Sequence, residues 1–85
     1  MKVETKYDVR QTVWVVAPIF YKGKFVETSI SKAYVFRIIL YKNDIVYDIA
    51  GRYYMEEDVF ASEEEAIANQ KRIKQKHIDI AEGRL

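Results

Sequence analysis

Two kinds of hydrophobic pattern divide the chain at about residue 60. Between Thr12 and Met55, apolar residues alternate with polar ones or form short blocks rich in Val, Ile, Tyr and Phe, which is typical of β-strands. After Ser62, apolar residues recur at helical spacing instead. The pattern predicts five strands, at residues 12–20, 25–30, 34–41, 45–49 and 52–55, followed by one helix at residues 62–82.

Turn-forming residues occupy the breaks between the predicted strands. Gly23 can supply the positive φ angle of a hairpin turn, Asn43-Asp44 favours a second tight hairpin, and Gly51 separates the last two strands. Pro18 has no backbone N–H, so it indicates a sheet edge or a bulge near the end of the first strand. These short connections favour antiparallel neighbours.

The predicted helix has recognisable start and stop residues. Ser62 and Glu65 have the spacing of a capping box, and the acids at 63–65 lie where the helix dipole favours negative charge. Gly83 can adopt the left-handed conformation that ends a helix. Polar Gln70 and His77 interrupt the apolar side of the helix. The apolar residues on that side are Ala66, Ile67, Ile73, Ile78, Ile80 and Ala81.

The third predicted strand is apolar on both of its faces. Strict alternation places Tyr34, Phe36, Ile38 and Leu40 on one face and Val35, Arg37, Ile39 and Tyr41 on the other. Because only Arg37 is charged, both faces need cover. We expect the C-terminal helix to cover the second face in a two-layer domain; the alternative is an exposed patch that binds a partner or a second copy of the chain.

The order of elements predicts a mainly β fold of the α+β type. It is a small five-stranded antiparallel SH3-like barrel or bent sheet with one C-terminal α-helix, in a single domain covering residues 1–85. Segments 7–15 (YDVRQTVWV) and 24–30 (KFVETSI) resemble the first two strands of small SH3-like barrels. Segment 45–66, which ends in EEDVFASEEEA, is similar to a pattern in small uncharacterised proteins of phages and Gram-positive bacteria. That pattern usually has Gly-Asp or Gly-Glu where this chain has Arg10-Gln11. The resemblance implies a fold and no chemistry.

The 85 residues carry a net charge of +1 that is unevenly distributed. Residues 1–44 sum to +4, residues 45–65 to −6 and residues 66–85 to +3. The absence of cysteine excludes disulfides and thiol catalysis, and it fits a reducing cytoplasm. No apolar run is long enough to cross a bilayer, and the first ten residues lack the apolar stretch of a secretory leader. We therefore expect a cytoplasmic protein, in the host cytoplasm if it is phage-encoded.

Aromatic and basic residues on the strands are the candidate binding groups. Tyr and Arg are enriched in binding hot spots, so the residues expected to contact a partner protein are Tyr34, Arg37, Tyr41, Tyr53 and Tyr54. A nucleic-acid-binding barrel is the alternative, with phosphate contacts from Lys22, Lys24, Lys32, Lys42, Lys71, Arg72, Lys74 and Lys76. A third hypothesis is self-association through Ile78 and Ile80 at the end of the helix, giving a homo-oligomer.

Catalytic chemistry finds little support in the sequence. His77 is the only histidine, and no nucleophile-elbow sequence accompanies Ser29, Ser31 or Ser62. The acids at 56–58 and 63–65 lack the spacing of a calcium loop, so turn and cap chemistry explains them; an electrostatic role as a nucleic-acid mimic or a site for a basic partner stays open. We expect no enzyme, no cofactor and no metal site.

The function expected from the sequence is therefore a non-catalytic interaction module. The resemblance to phage proteins implies a host-takeover or anti-defence inhibitor, which would act by occupying a surface of a host protein. The sequence names neither the partner nor the oligomeric state.

Overall fold

The computed structural model describes residues 4–84 and contains five strands and one C-terminal helix, although the sequence pattern does not predict the short strand at residues 59–60. The elements are β1 (Thr12–Tyr21), β2 (Lys24–Tyr41), β3 (Asp44–Ile49), β4 (Arg52–Met55), a single 3₁₀ turn (Glu56–Asp58), β5 (Val59–Phe60) and α1 (Glu63–Ala81). The strands form one sheet in the order β4-β3-β2-β1-β5, with every neighbouring pair antiparallel. This confirms the prediction of a mainly β, five-stranded, bent, barrel-like sheet with a C-terminal helix.

The second and third predicted strands are one continuous strand, so the predicted break at residues 31–33 is wrong. β2 runs for 18 residues and pairs with β1 over its first part and with β3 over its second. Ser31 and Ala33 stay in the ladder opposite Val15 and Val13, because nothing at these positions prevents extended backbone. The strand changes partner instead at a bulge between Val35 and Arg37.

Two separate clusters of buried side chains lie on opposite faces of the first hairpin, which consists of β1 and residues 24–34 of β2. The barrel core lies between this hairpin and the second one, formed by residues 35–41 of β2 with β3 and β4. It contains Tyr7, Val13, Val15, Val35, Tyr47, Ile49, Tyr54 and Val59. The helix core lies under α1 and contains Val16, Phe60, Ala66 and Ile73, with Trp14 and Ile30 at its margin.

Helix α1 covers the first hairpin and not the second. Its Ile73 is 1 % exposed in the helix core. Its polar Gln70 donates a hydrogen bond of 3.1 Å from Nε2 to Oγ1 of buried Thr28 on β2. His77 stacks on Phe25 with 5.5 Å between ring centroids. The expectation that this helix covers the second face of residues 34–41 is therefore wrong, since its contacts lie on the other half of the same strand.

Both ends of α1 use the residues that the sequence indicated. The Ser62 side chain accepts a hydrogen bond from the backbone N–H of Glu65, and the Glu65 carboxylate accepts one from the N–H of Ala61. The far end closes with Gly83 at φ 75° and an Arg84 N–H bond of 2.7 Å to the carbonyl of Asp79, the pattern of a Schellman motif. Within residues 4–84, the structure has no helix that is long and apolar enough to cross a membrane.

Among residues 4–84, left-handed backbone occurs at four non-glycine residues that set the hairpin and entry turns, and one of them, Lys42 (φ 57°), precedes Asn43 in the turn between β2 and β3. Lys22 (φ 51°) and Ala50 (φ 51°) each precede a glycine in two-residue turns. Arg10 has φ 73° at the position where the resembled pattern has glycine, and its N–H donates to the Val35 carbonyl at 2.7 Å. The entry turn therefore forms with arginine in a conformation that favours glycine.

Candidate interaction surface

The second hairpin, together with Tyr34 at the end of the first, presents a large exposed apolar surface, which we call the outer face. Its side chains lie on the side of the hairpin away from the barrel core. They are Tyr34, Phe36, Arg37, Ile39 and Tyr41 of β2, Val46 and Asp48 of β3, and Tyr53 and Met55 of β4. Four of the aromatic rings are the most exposed part: Tyr34 is 58 % exposed, Phe36 61 %, Tyr41 61 % and Tyr53 63 %. A soluble protein exposes few contiguous apolar patches of this kind unless they bind something.

The strand register arranges the outer face in rows across three strands. Arg37 lies opposite Asp48, which lies opposite Tyr53. The next row consists of Ile39, Val46 and Met55. Because these rows belong to a hydrogen-bonded sheet, the side chains project from a rigid base, and the backbone loses little conformational freedom on binding.

The bulge in β2 brings together residues that strict alternation would separate. It inserts Phe36 between Val35, which pairs with Ile49, and Arg37, which pairs with Asp48. Phe36 consequently lines the same hollow as Tyr34 and Asp48, next to Arg37. Sequence analysis missed Phe36 and Asp48 as members of this surface, since no glycine or proline marks the bulge.

Arg37 is the only cation within the rows, and its side chain is held in place. Its Nε donates to Oδ2 of Asp48 at 2.8 Å, and its Nη2 donates to the Tyr53 hydroxyl at 3.4 Å. The hydrogen bonds to Asp48 and Tyr53, with the charge of Asp48, raise the pKa of Arg37 above its ordinary value. Asp48 is largely buried, whereas the Arg37 side chain is 56 % exposed. Arg37 therefore neutralises the charge of Asp48 from the solvent side, and its guanidinium stays accessible to a ligand.

Tyr54 is the one predicted partner-binding residue that the structure removes from the surface. It lies opposite Tyr47 on the inner side of β4 and belongs to the barrel core, with 8 % of its surface exposed. Burial raises the pKa of its hydroxyl. Adjacent residues of a strand point to opposite faces, so Tyr53 and Tyr54 cannot both be on the outer face.

A buried hydrogen-bond network fixes the core side of the second hairpin. The Tyr47 hydroxyl donates to Oε2 of Glu56 at 2.5 Å and accepts from the backbone N–H of Tyr7 at 3.2 Å. Burial, with the Glu56 hydrogen bond, raises the pKa of Tyr47 to about 12, so this hydroxyl remains a donor at neutral pH. The Tyr7 hydroxyl in turn donates to the Val59 carbonyl at 2.8 Å. The network ties the entry segment and the 3₁₀ turn to the strands that carry the outer face.

The acidic cluster after β4 is neutralised largely by the molecule's own helix. Lys76 lies 3.3 Å from Oδ2 of Asp58 and 3.8 Å from Oε1 of Glu57, and Arg72 lies 3.9 Å from Oδ1 of Asp58. Lys74 lies 3.1 Å from Glu27 on β2. Three of the four helix cations predicted to contact phosphate therefore have acidic partners, and Lys71 has none among residues 4–84. These pairs weaken both the nucleic-acid hypothesis and the proposed role of the acids as a site for a basic partner.

The four strand lysines of the nucleic-acid hypothesis do not form one stripe. Lys22 and Lys24 lie in and beside the turn at one end of β2, and Lys42 lies in the turn at the other end. The ammonium groups of Lys22 and Lys42 lie over the neighbouring rings of Tyr21 and Tyr41, 5.4 and 5.5 Å from their centroids. The remaining one, Lys32, lies over Trp14. These three lysines thus lie over the aromatic rings that would have to stack on the bases of a nucleic acid.

The end of α1, predicted to associate with a second copy, is only partly exposed. Ile80 is half exposed, whereas Ile78 is partly buried. His77, the only histidine, is a packing residue against Phe25, and burial lowers its pKa. Among residues 4–84, no group of three or more His, Asp and Glu side chains is arranged to hold a metal ion.

Comparison of this chain with protein-family models, curated proteins and solved structures finds no match. The function must therefore be argued from the surfaces described above.

Proposed function

We propose that this protein is a non-catalytic interaction module that binds another protein through the outer face. The proposal rests on a difference between the two hairpins. Helix α1 packs on the outward side of the first hairpin, whereas the outer face has four aromatic rings that are more than half exposed on a rigid sheet. Aromatic side chains and arginine are enriched among the residues that dominate the energetics of protein interfaces. Tyr34, Arg37, Tyr41 and Tyr53 form this surface together with Phe36.

The biological setting that we propose rests on the sequence. The absence of cysteine supports a reducing cytoplasm. The resemblance of segment 45–66 to small proteins of phages and Gram-positive bacteria supports a host-takeover or anti-defence inhibitor, which would block a host protein by covering one of its surfaces. Nucleic-acid binding and self-association through the end of α1 have weaker support, because most of the helix cations are paired and Ile78 is partly buried.

The proposal is tested by capture with matched variants. Wild-type protein, a Tyr34→Ser/Tyr53→Ser double variant and a Tyr21→Ser control are immobilised and exposed to cell lysate. Tyr21 is as exposed as Tyr53 but lies at the tip of the first hairpin, away from the outer face. We expect the same protein to be captured by the wild type and the control and lost with the double variant. Capture that the double variant retains would contradict the proposal, provided that all three proteins unfold at similar temperatures.

A further inference from the structure

The charges around the outer face indicate what kind of partner it fits. Lys32 precedes Tyr34 by two residues on the same side of β2, Lys42 lies over the Tyr41 ring, and neither lysine has an ion-pair partner among residues 4–84. Arg52 lies opposite the buried Ile49 and therefore faces the barrel-core side of the hairpin. With Arg37 the two lysines make three cations, against the two carboxylates of Asp44 and Asp48, so the surface has an excess of one positive charge.

Arg37 offers hydrogen-bond donors at the centre of this positive surface. An arginine side chain has five N–H donors, of which the contacts to Asp48 and Tyr53 use two. Those contacts hold the guanidinium in one orientation, so further ordering costs little when a ligand binds. A planar guanidinium binds a carboxylate through strong charge-assisted hydrogen bonds.

The same surface is poorly suited to a phosphate backbone. A nucleic acid needs several cations along the path of the strand, together with free rings for its bases. Here the carboxylate of Asp48 lies directly beside Arg37 at 2.8 Å. The ammonium of Lys42 lies over the Tyr41 ring, and the remaining surface is aliphatic or aromatic. A protein segment that combines apolar side chains with a few carboxylates matches both features.

We propose that the outer face binds an acidic, apolar segment of a partner protein, and that Arg37 receives one of its Asp or Glu carboxylates. This inference rests on the proposed function and names the chemistry of the partner. The apolar part of the segment covers Tyr34, Phe36 and Tyr53, while its acids pair with Arg37 and with the lysines at the margin.

The experiment selects short random peptides on the immobilised wild-type protein, with the Tyr34→Ser/Tyr53→Ser variant as counter-selection. Enriched peptides are then titrated by fluorescence anisotropy, alongside a labelled single-stranded oligonucleotide. We expect the peptides to contain Asp or Glu among apolar residues. Replacing those acids by Asn or Gln should weaken binding to the wild-type protein at least about tenfold, because the guanidinium loses its charged partner.

Three protein variants locate the contact. Arg37→Gln should weaken peptide binding by at least about tenfold. Arg37→Lys keeps the charge but loses the planar set of guanidinium donors, so its peptide affinity should lie between those of Arg37→Gln and the wild type. Lys71→Gln removes the same charge from an exposed helix site that has no ion-pair partner within residues 4–84, and should change affinity less than about twofold. Since the acid-free peptides are tested on unaltered protein, a loss of stability in Arg37→Gln does not obscure the result.

The outcomes separate this inference from the proposed function. Enriched peptides that bind the outer face but lack acids would overturn the acidic partner and leave protein binding intact. A selection that enriches no peptide dependent on the outer face would count against both. Tight oligonucleotide binding that is lost in Arg37→Gln would overturn the inference in favour of nucleic acid.

Discussion

The two hairpins of this sheet have similar apolar sequences, but α1 covers the outward side of the first and leaves that of the second exposed. In the first hairpin, Val16 and Ile30 lie opposite each other on the outward side and are hidden by α1. In the second, Ile39 and Val46 lie opposite each other on the outward side, and α1 makes its contacts elsewhere. Since β2 belongs to both hairpins, one strand is covered in its first half and bare in its second. Two apolar pairs that look alike in the sequence therefore differ in cover, because α1 packs on only one of them.

The largest loss of stability is expected from a substitution that weakens the packing of α1 on the first hairpin. Ile73 is almost fully buried under α1, so Ile73→Ala should lower the free energy of unfolding by about 3–4 kcal/mol through lost contacts and a cavity. Ile67, an exposed residue of the same helix, is the matched control, and Ile67→Ala should stay within about 0.5 kcal/mol. Urea unfolding followed by circular dichroism measures both. Equal losses would mean that α1 is not docked through the helix core.

A pair of valines compares the two outward faces directly. Val16→Ala should cost roughly 2–3 kcal/mol, because its methyl groups are enclosed between the sheet and α1. Val46→Ala on the outer face should cost less than about 1 kcal/mol in the free protein, since water already reaches that position. The same urea experiment applies. A large loss in Val46→Ala would show that the outer face is covered in the free protein, for example by a second copy.

A smaller gain is expected in the turn of the second hairpin. Ala50 has φ 51°, a left-handed conformation that costs an ordinary residue roughly 1 kcal/mol and that asparagine tolerates better. Ala50→Asn should therefore raise the free energy of unfolding by about 0.5 kcal/mol. Thermal unfolding measures the gain, and a lower melting temperature would refute it. Lys22→Asn in the equivalent turn of the first hairpin provides the comparison.

The smallest effect is a pH dependence of stability that we expect from His77, which stacks on Phe25 in the C-terminal half of α1. Burial and the neighbouring Lys76 lower the pKa of His77 in the folded protein, and Asp58 opposes them in part. The folded protein therefore binds the proton less well than the unfolded chain, whose histidine has a pKa of about 6.5. The contribution of His77 to stability is present above that value and falls as the pH drops through it towards the lower folded pKa.

The variant His77→Phe isolates this contribution, since it keeps an aromatic ring on Phe25 but removes the titration. We expect the stability of the wild type to fall more than that of the variant between about pH 8 and pH 5. Urea unfolding across this range gives the difference. Parallel curves for the two proteins would mean that His77 is not protected from protonation by its packing.

The sequence predicts well the features that depend on neighbouring residues. Ser62, Glu65 and Gly83 mark the ends of α1 because capping is a local hydrogen-bonding event. Gly23 and Gly51 mark hairpin turns for the same reason, since φ is a property of one residue. The long β2 is a partial failure, because a change of pairing partner within one extended segment leaves no break in the pattern of residues.

The candidate surface was predictable in part. Tyr34, Arg37, Tyr41 and Tyr53 are exposed as expected, whereas Tyr54 is a core residue. Phe36 and Asp48 join the surface through a bulge, which arises from the fit between β2 and β3 and has no mark in the sequence. Which of two adjacent tyrosines faces the core depends on register, and register is set by pairing across strands.

The sequence by itself determined the order of strands before one helix, the hairpin turns, the helix caps and the presence of an apolar second face on residues 34–41. Only the tertiary structure decided which half of strand β2 is covered by α1. The reason is one of size and reach: a helix of 19 residues, about 28 Å long, can lie on one hairpin of a strongly bent sheet, and the helix core under Ala66 and Ile73 holds it on the first. The aromatic rings of the other half stay in water as a consequence of that choice.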